Sequence, residues 1–311
     1  MSTLVIVLWY GLRTAIIGLA VALVWWVARG RTCQLPRGAV STATIIAAAI
    51  ALATMIYLLT AGIGFSIVQL PFADQIPYWV FERRISWPLV IGIIAIASLL
   101  FPFHAHTTRG QATLTRRTPF SFGRRWWFAG VTSIIGAIVT VTVLAGLASE
   151  PDFEGLWRAY TVDGANGSSF GTTIYGWYYS LPALALIAAL IVAALIALWL
   201  IARPPIHTEH VRDVGMRELR TRNVLAITSG ALLLHLGMIL NSLASTAQLR
   251  GGISLGSSGA ASWGTPFAAI HPGLVFAGLS CMALGFALWF GVLLSALPVR
   301  RAHSRATMVQ S

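Results

Sequence analysis

The sequence predicts an all-α protein, a polytopic bundle of seven transmembrane helices with its amino terminus outside and its carboxyl terminus in the cytoplasm. Hydrophobic residues make up 57% of the 311-residue chain and charged residues only 10%, whereas a soluble domain carries about 25% charged residues. Seven apolar stretches are each long enough, at roughly 20 helical residues, to cross a hydrocarbon core. Basic residues are concentrated in alternate connections between these stretches.

The predicted spans follow one another through short connections, so residues 1–311 form a single integral membrane domain. No connection is long enough to hold a separate catalytic domain. The spans lie near residues 5–28, 42–65, 86–103, 127–148, 181–202, 223–245 and 273–297.

Arginine sets the predicted orientation, because all 21 basic residues are arginine and none is lysine. Sixteen of them lie in the tail and in connections on one side, four lie on the other side, and Arg13 lies within the first span. Since basic residues accumulate in cytoplasmic loops, the arginine-rich side is predicted to be cytoplasmic. The four outer arginines are Arg83, Arg84, Arg158 and Arg250.

The absence of lysine excludes several classes of protein. A Walker A phosphate loop requires a lysine, and Schiff-base chemistry with pyridoxal phosphate or retinal requires a lysine amine. The net charge of +12 lies in loops that set topology, so we predict contact with membrane lipids and no nucleic-acid binding. Arginine in place of lysine, with abundant alanine, indicates a GC-rich bacterial genome and therefore the bacterial cytoplasmic (inner) membrane.

An internal repeat is predicted between residues 124–203 and residues 220–298. Leu147-Ala148-Ser149 recurs as Leu243-Ala244-Ser245, and Ala197-Leu198-Trp199 recurs as Ala287-Leu288-Trp289. A third, more diverged copy is predicted over residues 41–103. The bundle would then consist of one leading helix and two or three parallel helical hairpins.

Prolines, glycines and the outer connections add local predictions. The returning helix of each hairpin is predicted to open with a proline, as at Pro182 and Pro272, where the missing N–H costs nothing. The connection 149–180 is acidic and aromatic, and the glycine- and serine-rich connection 251–264 is predicted to be flexible. Glycines predicted to allow close helix packing are Gly130, Gly136, Gly230, Gly237, Gly273, Gly278, Gly285 and Gly291.

Three polar residues in or near the spans are predicted to contact a substrate. Arg13 is the only charged residue near a span interior, where it either reaches the outer surface or pairs with an anion or a carboxylate within the bundle. His235 lies in the middle of a span, where it would pair with a neighbouring helix, contact a substrate or ligate a haem. Asn241 follows it towards the outer end of the same span.

Carboxylates and histidines limit the chemistry that the spans would perform. No carboxylate lies within a predicted span, which counts against ion-coupled transport and an intramembrane aspartyl protease. Two histidine pairs flank the cytoplasmic side and would form a metal site if the third and fifth spans ended together. They are His104 with His106 and His207 with His210. Neither pair matches a specific metal motif, so no cofactor is predicted.

Two basic segments on the cytoplasmic side, 104–125 and 203–222, are predicted either to contact anionic lipid or to dock a cytoplasmic partner such as an ATPase subunit. The predicted docking residues are Arg116, Arg117, Arg124, Arg125, Arg212, Arg217 and Arg220. The first functional prediction is therefore a permease-like transport subunit without its own ATPase. The alternatives are a non-catalytic accessory or assembly subunit of a larger membrane complex and a metal- or haem-dependent membrane enzyme.

Overall fold

The computed structural model describes residues 12–28, 35, 39–64, 77–100, 122–164, 169–202, 210–254 and 260–297. About 80% of this part of the chain is helical. Single turns of 3₁₀ helix, Arg84–Ser86 and Ala268–Ile270, precede the fourth and the eighth α-helix. The α-helices are α1 (Arg13–Ala28), α2 (Ala39–Gly64), α3 (Tyr78–Glu82), α4 (Trp87–Leu99), α5 (Arg125–Leu147), α6 (Trp177–Ala202), α7 (His210–Ala247) and α8 (His271–Ala296).

Five helices, α2, α5, α6, α7 and α8, are long and apolar enough to cross a membrane. They support a membrane protein and coincide with five of the seven predicted spans. The helices at the first and third predicted spans are shorter, since α1 has 16 residues and α4 has 13, compared with the roughly 20 that a full crossing takes. Residues 5–11 and 101–103 of those two predictions lie outside the described residues.

Two small antiparallel β-sheets join the long helices, which corrects the all-α prediction. Strands β1 (Glu150–Pro151), β2 (Trp157–Asp163) and β3 (Ser169–Thr173) form a sheet between α5 and α6, in the order β1-β2-β3. Strands β4 (Arg250–Ser254) and β5 (Ala260–Gly264) form a hairpin between α7 and α8.

The strands have a local sequence cause. Strand β2 contains tryptophan, tyrosine, threonine and valine, which fit a pleated and half-buried surface. The turn before it places Gly155 at a φ of 77°, a conformation that glycine adopts without steric cost. Strands β4 and β5 form within the connection predicted to be flexible, where the backbone of Arg250 pairs with that of Gly264.

Helix α7 lies at the centre of the bundle and packs against α4, α5, α6 and α8, while α1 packs against α8. Close approach between α7 and α8 depends on glycine: a Cβ atom on Gly237 would lie 2.5 Å from the Met282 side chain and 2.8 Å from the carbonyl oxygen of Gly278. The predicted packing role is therefore confirmed at four positions in these two helices. They are Gly230, Gly237, Gly278 and Gly285.

The packing role is wrong at the other four glycines. Within the part of the chain that the structure describes, no atom outside the local backbone of its own helix lies within 4 Å of a Cβ built on Gly130, Gly136, Gly273 or Gly291. Glycine spacing shows which face of a helix lacks side chains. That face allows close packing only where a neighbouring helix lies against it.

The helix ends meet at two opposite ends of the bundle. At the end that carries the β-sheets, Thr246 donates a hydrogen bond to the carbonyl oxygen of Thr173 at 3.2 Å. At the other end, Ser41 donates to the carbonyl oxygen of Ala296 at 2.9 Å, and Arg217 donates to a carbonyl of α6. We call these the sheet end and the arginine end.

The two predicted repeat units share an element order, helix, β-hairpin and helix, because β2 and β3 separate α5 from α6 as β4 and β5 separate α7 from α8. Their matched residues differ in environment, since Trp199 is 44% exposed and Trp289 is fully buried. Pro272 is the second residue of α8, as predicted, but Pro182 lies inside α6, five residues after the helix begins. The repeat itself stays a prediction.

Candidate binding cavity

A cavity of about 240 Å³ opens near the sheet end between α1, α2, α4, α7 and α8. Two arginines, an asparagine, a threonine and two serines supply its polar lining, and the remaining lining residues are apolar. The lining residues are Arg13, Thr14, Met55, Leu58, Leu59, Arg84, Ile85, Trp87, Met238, Asn241, Ser242, Ser245, Leu279 and Met282.

The cavity combines exposed polar residues with buried apolar ones. Arg84 and Ser245 are exposed, which places them at the mouth. Met55 is only 1% exposed, and Ile85 and Met282 are also buried, which places them at the base. Arg13 is half-buried and Thr14 is buried, so polar groups continue inwards from the exposed Arg84 to the buried apolar side chains.

The last turns of α7 hold the uncharged polar residues of the cavity. The Asn241 Nδ2 atom donates to the Met282 sulfur at 3.2 Å, which ties the amide to α8. The Ser245 hydroxyl donates to the Asn241 carbonyl oxygen at 3.1 Å, so its lone pairs still accept. Helix α7 thus presents hydroxyl and amide groups beside the two arginines.

The cavity brings together two of the three residues predicted to contact a substrate. Arg13 and Asn241 both line it, whereas His235 does not. Arg84 was missed in the sequence because it looked like one of the outer-loop arginines that set topology. Its only signal is its position one turn before an apolar helix.

His235 lies behind the cavity wall and is completely buried. Its Nδ1 atom is 2.7 Å from the Ile85 carbonyl oxygen, and its Nε2 atom is 3.4 Å from the Tyr175 hydroxyl. A carbonyl only accepts, so Nδ1 carries the proton, and Nε2 accepts from Tyr175. His235 therefore fixes the 3₁₀ turn that carries Arg84 and Ile85 into the cavity, which is the helix-packing alternative among its predicted roles.

Two of the predicted docking arginines lie in the interior of the arginine end. Arg217 is fully buried and donates to the Ile201 carbonyl oxygen, and Arg220 is buried with its guanidinium 3.4 Å from the Leu99 carbonyl oxygen. They cap the last carbonyls of α6 and α4, a favourable place for a cation.

The other docking residues have different positions. Arg124 and Arg125 begin α5 and are exposed, and Arg212 lies in the first turn of α7. Arg116 and Arg117 lie outside the described residues. Docking through this end stays a prediction.

The histidine pairs are mostly outside the described part of the chain. His104, His106 and His207 are not described, and His210 is the first residue of α7. Among the described residues, no group of three or more histidine, cysteine, aspartate or glutamate side chains is placed to hold a metal ion. The metal site at these histidines therefore stays a prediction.

A charged cluster ties the three-stranded sheet to α3. The Arg158 guanidinium lies 2.5 Å from Glu82, 2.6 Å from Asp152 and 2.8 Å from Glu154. Partial burial raises the pKa of Asp152, but hydrogen bonds from the Leu156 backbone, Arg158 and the Glu154 backbone outweigh it and hold that pKa below its usual value. The hydrogen bond with Asp152 likewise raises the pKa of Arg158.

Arg83 belongs to this cluster and Arg84 to the cavity, although they are adjacent in sequence. The Arg83 guanidinium lies 5.1 Å from the centre of the Tyr178 ring, as does that of Arg158. Such cation–π contacts hold the sheet against the start of α6.

No protein-family model matches the chain, and no curated protein and no solved structure is significantly similar to it. The function is therefore argued from the cavity and from the distribution of charge.

Proposed function

We propose that the protein is a permease-like transport subunit without its own ATPase, located in a bacterial cytoplasmic membrane with its sheet end outside. The observation that carries this proposal is the cavity lined by Arg13, Arg84 and Asn241. Charged and polar side chains among membrane helices are costly, and they are typical of substrate and ion pathways. A concave site with a few convergent polar groups and apolar walls is typical of small-molecule binding.

The number of helices around the cavity supports a transport role over a purely structural one. Five helices from well-separated parts of the chain line it, so relative movement of those helices would change access to its base. The three methionines in the lining are flexible side chains that adapt to such movement.

A separate motor is part of the proposal because the chain has no lysine for a Walker A phosphate loop. The exposed arginines at the start of α5, Arg124 and Arg125, are the described residues placed to dock an acidic cytoplasmic partner. The excess of arginine at this end supports a cytoplasmic position for it.

The first experiment identifies partners. The full chain is tagged, purified from native membranes in mild detergent and analysed by quantitative mass spectrometry, together with the double variant Arg124→Gln/Arg125→Gln. We expect an ATPase subunit at about equimolar amount in the wild type, reduced in the double variant. The matched control, Arg83→Gln/Arg250→Gln, removes two arginines from the sheet end and should keep the partner.

The second experiment measures access to the cavity. With Cys33 and Cys281 replaced by serine, Ser242→Cys is exposed to a membrane-impermeant thiol reagent in right-side-out and inside-out vesicles. A transport site reacts from both sides, in proportions that change when ATP is supplied. The control Ser133→Cys, on the exposed face of α5, should not react, because lipid suppresses the thiolate. Reaction from the sheet end alone, with no ATPase partner, would contradict the proposed function.

One observation favours the alternative of an accessory subunit. Only 17% of the residues in the apolar stretch of α5 are buried, compared with 89% in that of α7. Within the described structure, the space beside Gly130 and Gly136 is also open. Such a surface accommodates another membrane helix. Stoichiometric membrane subunits without an ATPase would support this alternative.

A further inference from the structure

We propose that the cavity binds an anion that carries an apolar chain, with the charged group held at Arg13 and Arg84 and the chain directed towards Met55. This proposal names the substrate class and rests on the proposed function for its role in transport. The binding itself depends only on the cavity, whose lining combines two arginines with buried apolar side chains.

The mouth of the cavity has the chemistry of an anion site. Two guanidinium groups offer planar, paired donors that match a carboxylate or a phosphate. Among the described residues that line the cavity, none is acidic, so these residues give the mouth one sign of charge. Low-dielectric walls strengthen the attraction of such a site for an anion relative to the same charges in water.

Asn241, Ser242 and Ser245 add neutral polar groups beside the arginines. The Ser242 hydroxyl and the second N–H of the Asn241 amide are the neutral donors for an anionic group, since the Ser245 proton is donated to the Asn241 carbonyl oxygen. They add no charge and so leave the preference for an anion unchanged.

The base of the cavity has the chemistry of a site for a hydrocarbon chain. Met55 and Met282 are buried there, and Met238 and Leu279 extend the same apolar lining. The Trp87 indole N–H donates to the Val80 carbonyl oxygen at 3.0 Å, so its polar atom is already engaged. Methionine side chains adapt to chains of different shape, which favours a class of ligands over one compound.

The size of the cavity limits the ligand. Its volume of about 240 Å³ is below the range of roughly 300–1,000 Å³ typical of sites for drug-sized ligands. A fully enclosed ligand is therefore a short-chain or medium-chain anion. A longer molecule, such as an anionic lipid, would place only its head and the first part of a chain inside.

The test uses the full-length protein in nanodiscs and radiolabelled octanoate as the probe, with binding to empty nanodiscs subtracted. We expect saturable binding that acetate and octylammonium compete for at least about tenfold more weakly than unlabelled octanoate, because each lacks either the chain or the negative charge. This comparison is made within the wild-type protein, so it does not depend on the folding of any variant.

Variants then locate the binding. Arg13→Gln and Arg84→Gln should each weaken octanoate binding by about tenfold, the effect of one lost charge-assisted hydrogen bond. The matched control is Arg83→Gln, whose side chain contacts Tyr178 instead of the cavity and whose loss should leave affinity unchanged. Met55→Ser should weaken octanoate more than acetate.

Two further measurements distinguish a lipid from a soluble anion as the ligand. Stoichiometric anionic lipid in an organic extract of the wild-type protein, lost in Arg13→Gln/Arg84→Gln, supports a lipid. Saturable octanoate binding without such a lipid supports a soluble anion. Equal or tighter binding of octylammonium, or no specific binding of either anion, overturns the proposed class.

The outcomes also separate this inference from the proposed function. If the protein binds the anion specifically, but the cavity is accessible from one side only and no ATPase co-purifies, the ligand class is supported and the transport role is contradicted. If an ATPase co-purifies and the cavity is accessible from both sides, but no anion binds, the transport role is supported and the ligand class is contradicted.

Discussion

The α5–α6 hairpin and the α7–α8 hairpin have the same order of elements but opposite positions in the bundle. Helix α7 is surrounded by other helices, whereas α5 presents most of its surface to the outside of the bundle. Glycine occurs in both, but Gly237 and Gly278 bring the backbones of α7 and α8 together, whereas Gly130 and Gly136 of α5 lie beside open space within the described structure. The comparison teaches that packing in this protein follows the position of a helix more than its hydropathy, since α5 and α8 are similarly apolar and yet bury different shares of their residues.

The largest expected effect comes from Gly237→Leu in α7. A side chain there would overlap Met282 and the Gly278 backbone, which cannot move without separating the two helices. We expect the free energy of unfolding to fall by at least the upper end of the about 1–3 kcal/mol that is typical of overpacking, because backbone atoms cannot yield as a flexible side chain does. The protein should then fail to elute as a monodisperse peak in detergent. Gly136→Leu in α5, beside open space, is the control and should elute like the wild type. Equal behaviour of the two variants would contradict the comparison.

The next effect concerns the matched tryptophans. Trp289 is fully buried, and its indole N–H donates to the Ile227 carbonyl oxygen at 3.1 Å. Trp289→Ala should therefore cost about 3 kcal/mol or more, seen as a lower unfolding temperature. Trp199→Ala, at the corresponding position of α6, should cost less than about 1 kcal/mol. If the two costs were similar, the hairpins would be more alike than their burial indicates.

A smaller effect is expected for His235, the buried polar contact of α7. His235→Leu removes the hydrogen bond to the Ile85 carbonyl, at a cost of about 1–2 kcal/mol, and should increase hydrogen exchange in the 3₁₀ turn Arg84–Ser86. His235→Asn keeps an N–H near the position of Nδ1 and should restore part of the protection. Unchanged exchange in this turn for both variants would show that His235 does not position it.

The smallest effect is a pH dependence that distinguishes the two β-sheets. The pKa of Asp152 is lower in the folded protein than in the unfolded chain, so its stabilisation is complete above about pH 4. That stabilisation is lost as the pH falls through the folded-state pKa. We expect protection from hydrogen exchange, measured relative to the intrinsic exchange rate at each pH, to fall on acidification more at residues 157–163 than at residues 250–254. Asp152→Asn should remove this difference, and a difference that persists in that variant would assign it to another group.

Much of the architecture was predictable because a membrane-spanning helix can be recognised from its own residues, without knowledge of its neighbours. A run of apolar residues long enough to cross the hydrocarbon core must satisfy its backbone internally, and the helix does so wherever the segment lies. The β-sheets were not predicted because their signals are short. Thr, Tyr and Val in β2 were obscured by the charges around them, and β4 is rich in glycine, which is depleted in strands.

The candidate site was predictable only in part. Arg13 and Asn241 were identified because polar groups are rare in apolar spans. Arg84 was not, because an arginine just outside a span has the same sequence context whether it faces water or a cavity. His235 was identified as important, but its contact with the Ile85 backbone depends on a residue 150 positions away.

The sequence by itself determined that this protein lies in a membrane, where most of its long helices begin and end, and what chemistry its lack of lysine excludes. These properties depend on composition and on local hydrogen bonding. The tertiary structure decided that α7 is central and α5 peripheral, that Arg217 and Arg220 cap helices, and that Arg13, Arg84 and Asn241 share a cavity. Apolar helices in lipid gain no hydrophobic preference for one neighbour, so their arrangement depends on shape and polar contacts between distant residues.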